Sequence, residues 1–503
     1  MDDALTAHGA AALGALGAVL VLTGRTRFLL LAGYVSLGLS QAGLALSLSG
    51  GLGGSLGATT FVAGLGGLVV VGGLAAVLAA RPVLVLPALL LAAPFRLPLD
   101  VDRSHRFLLA VAQSGELGRL IPLYVVLTAA VLASVWYALR GLEPAPLPPV
   151  LAWPAALFLA FASLSLLWTQ ELNTATNVLL FFLNPFAALL AVSARAPFPR
   201  WMPKALGTIA IGLACLFSAV GLWQAATGKV LFYSPRLEVS NTYSSFFRVT
   251  SLFRDPSLYG RHLVAGIAIL LVVLWLRKLS LVPAVLLIGF LWAGLYFSYS
   301  QSSMVSLFAV ALAITAAAGD RTARLVALGI AVVLTAGAFA FLAAELRDSS
   351  ARRVTSDRSR RVEVTLDVVR DRPVAGVGLG SQPAASEERS RRGGPDDSFV
   401  SHTTPLTVAA ELGLVGLALY LALLAGAART IWLLWRRDAS VGLALGAVLL
   451  ALTIHSLFYS GFFEDPVTWL ALGVASAALA APRVVPMPAT VEAEPRQELV
   501  EAS

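Results

Sequence analysis

Apolar residues run along this chain in long continuous stretches, neither alternating nor confined to one side of a helix. The stretches recur at roughly the 20 residues needed to cross a bilayer as an α-helix. Candidate spans fall at approximately 9–24, 28–49, 58–79, 82–95, 119–139, 150–168, 174–194, 204–226, 258–276, 279–299, 302–318, 324–344, 403–428, 439–458 and 465–482, the fourth being short enough to re-enter the membrane. The pattern predicts an all-α, polytopic integral membrane helical bundle of about 13–15 transmembrane helices with one long polar loop, 345–402. Strands of an outer-membrane barrel alternate, and these runs do not.

Composition agrees. Of the 503 residues 58% are hydrophobic and 13% charged, far below the charge of a soluble chain of this length. The net charge of +8 reports topology in such a protein and implies no nucleic-acid partner. The single Cys215 sits in an apolar run, which excludes disulfides and cysteine-based metal sites. Acidic residues, not basic ones, precede the first apolar run, the wrong flank for a cleavable signal.

The connections divide by charge. One set is short and basic, with Arg25/Arg27, Arg81, Arg140, Arg195/Arg200/Lys204, Arg277/Lys278, Arg321/Arg324 and Arg429/Arg436/Arg437; the positive-inside rule puts it in the cytoplasm. The alternate set, 50–57, 96–118, 169–173, 227–257, 300–301, 345–402 and 459–464, then faces outward, and its long members escape the rule despite their arginines. The chain accordingly divides into N-terminal transmembrane helices (1–240), a transmembrane region with the chemistry-bearing loops (241–482), and a polar tail (483–503) expected to be disordered in the cytoplasm.

Four groups of residues converge on the outward side: Phe247-Arg248 through Arg254-Asp255-Pro256 to His262; the tight turn Ser298-Tyr299-Ser300-Gln301-Ser302-Ser303; the cluster Arg358/Arg360/Arg361 leading to Asp371-Arg372-Pro373; and His402, with Glu411 about two turns further on. Guanidinium forks give paired, charge-assisted hydrogen bonds to phosphate oxygens and stay charged, so they can stabilise a leaving diphosphate without a metal or other cofactor. A neutral imidazole can take a proton from an attacking hydroxyl. Each feature also has a plainer reading. Arginines at helix ends snorkel to headgroups, and a helix-start histidine usually bonds backbone. Glu411 is costly in an apolar span and needs a partner, for which an arginine serves as well as a chemical role. His105 and His455 are taken as interfacial. Gly376-Val377-Gly378-Leu379-Gly380 lacks the strand–turn–helix setting of a dinucleotide fingerprint and suits a bend that brings backbone close to a neighbour.

Taken in order, Arg361, nine residues, Asp371-Arg372-Pro373-Val374-Ala375-Gly376-Val377-Gly378, then Ser401-His402-Thr403-Thr404-Pro405-Leu406 and Glu411-Leu412-Gly413-Leu414-Val415-Gly416 resemble the O-antigen ligase and polymerase superfamily. That family reads Arg, a helical stretch, Asp-x-Pro-Leu-x-Gly-x-Gly, a variable loop, His-Asn-x-x-Leu and Glu-x-Gly-x-x-Gly. Arg248 to Gly260 is similar to its upstream Arg-x-x-Gly-x-Phe-x-Asp-Pro-Asn element, and the likeness covers about 240 to 470. The resemblance implies a metal-independent, inverting glycosyltransferase of a bacterial cytoplasmic membrane. Such an enzyme takes a glycan from a polyprenyl-diphosphate carrier at the extracytoplasmic face and passes it to a hydroxyl-bearing lipid or glycan. On matching positions it implies Arg361 as a diphosphate ligand and His402 as the base or acceptor-orienting group, with Glu411, Gln301 and Asp371 in support. Two positions depart from the pattern. The turn that carries the family's other arginine reads Ser300-Gln301-Ser302-Ser303, and Thr403 replaces the Asn after the histidine. Arg254, Arg248 and Arg358 are the candidates for the second charge, and the departure fits a divergent polymerase or transferase better than a strict ligase. Two rivals remain: a transporter or flippase of lipid-linked glycan, against which stands the lack of paired broken helices, and a transferase whose base is a carboxylate of Asp100-Val101-Asp102-Arg103.

Overall fold

A computed structural model describes residues 2–48, 58–96, 120–231, 237, 241–242, 246–330, 332, 358–393, 399–401, 403–459 and 463–482. His402, Asp100, Asp102, His105, most of the expected span 324–344 and the tail 483–503 lie outside the described residues. Every regular element among the described residues is helical. In chain order these are α1 (Asp2–Thr23), α2 (Arg27–Leu48), α3 (Ala58–Ala80), α4 (Val85–Ala92), α5 (Ile121–Leu139), α6 (Pro149–Leu164), α7 (Leu172–Val178), α8 (Asn184–Arg195), α9 (Met202–Thr227), α10 (Pro256–Trp275), α11 (Leu281–Ser298), α12 (Gln301–Ala318), α13 (Arg358–Asp371), α14 (Gln382–Gly393), α15 (Thr404–Arg437), α16 (Ala439–Ser456) and α17 (Pro466–Ala480).

Eleven helices among the described residues are long and apolar enough to span a membrane, with α7 and α8 joined as one. A further pair, Gly66–Ala80 and Pro82–Ala92, is bent by 113° where Pro82 interrupts the helix, and α17 is shorter but buried along its length. The molecule is thus a polytopic helical membrane protein. Large apolar side chains such as Phe28, Val282 and Leu286 are exposed on the bundle's flank, as a hydrocarbon solvent permits.

Local chemistry sets the helix starts. Asp255 and Asp465 each precede a proline that opens a helix. The Asp255 carboxylate accepts from the N–H groups of Ser257 (2.6 Å) and Leu258 (3.2 Å), and Asp465 accepts from that of Val467 (3.0 Å). Both caps lie at the end of the bundle where Trp168 meets Ala375, Arg96 meets Glu464 and Thr404 meets Tyr459. The opposite end carries the short basic connections, where Arg27 pairs with Glu143, Arg195 donates to Gly24 and Lys278 donates to Ser440.

The expected loop 345–402 contains two helices, α13 and α14, and a glycine-rich turn joining them. That turn docks on α15, which is broken at Gly413 (φ 67°, ψ −169°). Backbone bonds run both ways: Val377 N–H to the Ala410 carbonyl (3.0 Å), Gly378 N–H to Glu411 (2.8 Å), and Leu414 N–H to Pro373 (2.7 Å). Gly376 (φ 69°) packs its Cα against the Glu411 carbonyl, and Gly413 packs against that of Val374, so neither position has room for a Cβ. The turn's other side rests on residues 165–171: Trp168 Nε1 donates to the Ala375 carbonyl (3.1 Å), and the Thr169 hydroxyl donates to Leu379 (2.8 Å). The Ser381 hydroxyl accepts from the N–H groups of Gln170 (3.0 Å) and Glu171 (3.1 Å). The glycine string is a clamp between the two halves of the chain.

Candidate functional site

The residues singled out from sequence fall into three structural roles. Glu411 and Asp371 belong to the clamp. Glu411 is buried, and its partners are the backbone N–H groups of Gly380 and Gln382, where an arginine was the expected alternative. Asp371, at the end of α13, is exposed and ion-paired with Arg389 of α14. Gln301 is the exposed first residue of α12. Arg358 opens α13, one helical turn before Arg361, whose guanidinium stacks over the Phe399 ring at 5.1 Å. Two residues beyond Phe399, Ser401 turns its hydroxyl to Thr403 N–H (3.2 Å), and the Thr404 hydroxyl donates to the Tyr459 carbonyl (3.3 Å). The flanks of His402 are therefore tied both to the Arg361 side and to the α16–α17 connection.

Arg248 and Arg254 sit on the segment leading into α10, and that segment is held rigidly. Gln224, buried in α9, accepts from the N–H groups of Thr250 (3.0 Å) and Ser251 (2.7 Å) and donates to the Ser251 carbonyl (2.9 Å). Asn241 brackets Arg248, accepting from its N–H (2.9 Å) and donating to its carbonyl (3.1 Å). Val249 N–H then reaches the Phe297 carbonyl (3.1 Å), and Arg248 Nε lies 3.4 Å from the Ser298 carbonyl. The Arg248 guanidinium consequently stands at the serine turn that has no arginine of its own. Burial draws its pKa below the usual arginine value, and Asp255 opposes that shift. Arg254 is half-buried in the same segment, beside the Asp255 cap.

A buried polar cluster lies beside the start of α10, and sequence reasoning missed it. Arg261 of α10 pairs with Asp465 at 3.0 Å, both almost fully buried. Arg96, just after α4, donates to the Glu464 carbonyl (2.8 Å). Burial lowers the Arg96 pKa, with Arg261 adding to the effect, and burial raises that of Glu464. Two guanidiniums facing two carboxylates make a balanced set, suited to pinning the α16–α17 connection rather than receiving an anion. His455 corrects an expectation: it is 2% exposed, not interfacial, and its Nε2 lies 3.1 Å from Ser302 Oγ in the serine turn. The signal available for these residues was the presence of ionisable groups within apolar spans; which of them face each other depends on helices far apart in sequence.

The helical bundle, with Arg248, Arg254 and the serine turn at one end, is that of a polytopic membrane protein. Residues 284–421 match the family described as O-antigen ligase, a stretch that holds the serine turn, Arg361, the glycine clamp and the His402 and Glu411 segments. That match agrees with the resemblance to the O-antigen ligase and polymerase superfamily read from the sequence. No curated protein matches the chain.

Proposed function

We propose that the protein is a membrane glycosyltransferase that moves or polymerises a polyprenyl-diphosphate-linked glycan, with its mouth on the extracytoplasmic side. The single observation that carries this reading is the placement of Arg248 at the Ser298–Ser303 turn, inside the segment that resembles O-antigen ligases. The turn lacks the expected arginine, and a cation supplied from the neighbouring segment restores it. Arg248 and Arg361, assisted by Arg254 and Arg358, hold the diphosphate and stabilise it as it leaves, so that chemistry depends on positioning and charge without a metal ion. His402 is the base or orienting group for the acceptor hydroxyl. The basic connections gathered at the opposite end support the assignment of that end to the cytoplasm. The Arg96, Arg261, Asp465 and Glu464 set keeps the α16–α17 connection under the mouth.

The test uses purified protein, a polyprenyl-diphosphate-linked repeat unit as both donor and acceptor, and a gel that resolves glycan length. A ladder of longer products is expected, persisting with chelator present and reduced about 10²-fold by His402→Ala. Wild-type protein that moves the intact carrier-linked glycan across vesicles without forming any glycosidic bond supports the transporter instead. A second expected outcome concerns the charge at the serine turn. Arg248→Ala should lower kcat/KM by about 10²-fold while leaving thermal unfolding within about 1 kcal/mol of wild type. Arg248→Lys should recover only part, because a point charge cannot reproduce the planar fork. Wild-type kcat/KM in Arg248→Ala removes this residue from the site.

A further inference from the structure

The pair formed by His455 and Ser302 is not used by the mechanism above. His455 closes α16, and Ser302 lies in the first turn of α12, so 153 residues separate them in sequence. The imidazole Nε2 is 3.1 Å from Ser302 Oγ, and the ring also hydrogen-bonds the backbone of Ser257. The Ser257 N–H is already donated to Asp255, which leaves its carbonyl as the partner. An imidazole that donates there presents Nε2 as an acceptor, and the Ser302 O–H fills it. Ser302 Oγ lies 3.2 Å from Ser300 Oγ, which in turn is 2.9 Å from Ser303 Oγ. Ser302 keeps a small exposed area beside the exposed Gln301, and Arg248 reaches the same turn at Ser298.

Resting on the glycosyltransferase reading, we propose that Ser302 and His455 form the path by which the acceptor hydroxyl loses its proton. In the step, the acceptor oxygen bonds to the anomeric carbon as the bond from that carbon to the carrier diphosphate breaks. The leaving electron pair stays on the diphosphate oxygen, facing the arginines. The acceptor proton passes to Ser302 Oγ, while the Ser302 proton passes to His455 Nε2. Ser302 touches the acceptor and is the catalytic residue of the pair; His455 acts through it. The proton is held on the ring by its bond to the Ser257 backbone, with Arg261 and His262 as its charged neighbours, so its stay there is brief. His402 then orients the acceptor, and the family's serine turn does more than hold a phosphate.

The test measures kcat and KM for the polyprenyl-diphosphate-linked repeat unit with full-length protein in nanodiscs, in light and heavy water. Ser302→Ala and His455→Gln should each lower kcat about 10²-fold with KM unchanged. The double variant should be no slower than either single one, as for groups that work as a unit. Ser302→Thr, which keeps the hydroxyl, should recover most of the rate, and the solvent isotope effect of the wild type should be lost in Ser302→Ala. Thermal unfolding of Ser302→Ala serves as the check on folding if His455→Gln fails to insert. Wild-type kcat in Ser302→Ala, or rate losses that multiply in the double variant, overturns the proton path alone. A wild type that transfers no glycan overturns the glycosyltransferase reading and this proposal with it.

Discussion

Gly413→Val is expected to cost the protein about 4 kcal/mol or more of stability, enough to leave little folded material in a thermal-unfolding or gel-filtration assay. Position 413 has φ 67° and ψ −169°, a backbone state that a β-branched residue avoids. A Cβ there would land on the Val374 carbonyl oxygen. Relief requires the glycine turn to lift off α15, which breaks the bonds from Leu414 and Val415 N–H to Pro373 and Val374 and exposes Glu411 to loss of its backbone donors. Gly289→Ala is the matched control. That glycine lies within α11 with open space around its Cβ position, and the change should stay within about 0.5 kcal/mol or stabilise slightly. Equal effects at the two positions would show that the clamp contributes nothing special.

The second large effect is expected at the buried ion pair. Asp465→Ala removes the carboxylate that faces Arg261 at 3.0 Å and caps α17 through Val467 N–H. It leaves a guanidinium buried without its countercharge, close to Arg96, and the expected loss is about 3–5 kcal/mol, read as a lowered unfolding temperature in detergent or nanodiscs. Arg261→Met combined with Asp465→Leu should recover much of it, because two apolar residues of similar size need no countercharge. A single Asp465→Ala variant as stable as wild type would mean that water reaches the pair. Together these two predictions separate the scaffold from the chemistry: neither residue is asked to touch substrate, yet each fixes a segment that carries candidate site residues.

Much of the scaffold could be read before any coordinates. Continuous apolar runs report spans because a helix satisfies its own backbone in lipid, whatever surrounds it. The run from Phe247 to His262 was legible as a group, while the Asp255 and Asp465 caps, though contacts between near neighbours in sequence, emerged with the structure. The serine turn was legible as well, and so was the glycine string as a bend. Within the site, Arg248 was one of three arginines able to complete the diphosphate pair, with nothing in the sequence to separate them. Its approach to Ser298 supports the choice proposed above, and that contact joins residues 50 positions apart.

Other parts could not be read. Glu411 was expected to need a partner, but the partner turned out to be backbone N–H groups from a turn about thirty residues earlier, and main-chain donors leave no mark on a sequence. The helical stretch that the family pattern places between its Arg and Asp is α13, whereas α14 lies in what reads as loop, because its polar residues lack an apolar stripe strong enough to announce it. The sequence neighbours of His455, Phe458 and Tyr459, suit an interface; its burial against Ser302 depends on how α16 lies beside α12. By itself, the sequence determined what is local or solvent-driven: the membrane class, most of the spans among the described residues, the charge asymmetry of the connections and the motif order that resembles O-antigen ligases. Only the tertiary structure decided which charges meet, because Arg261 with Asp465, Ser302 with His455 and Gly376 with Gly413 are paired by helix packing, which the sequence encodes only through the whole bundle at once.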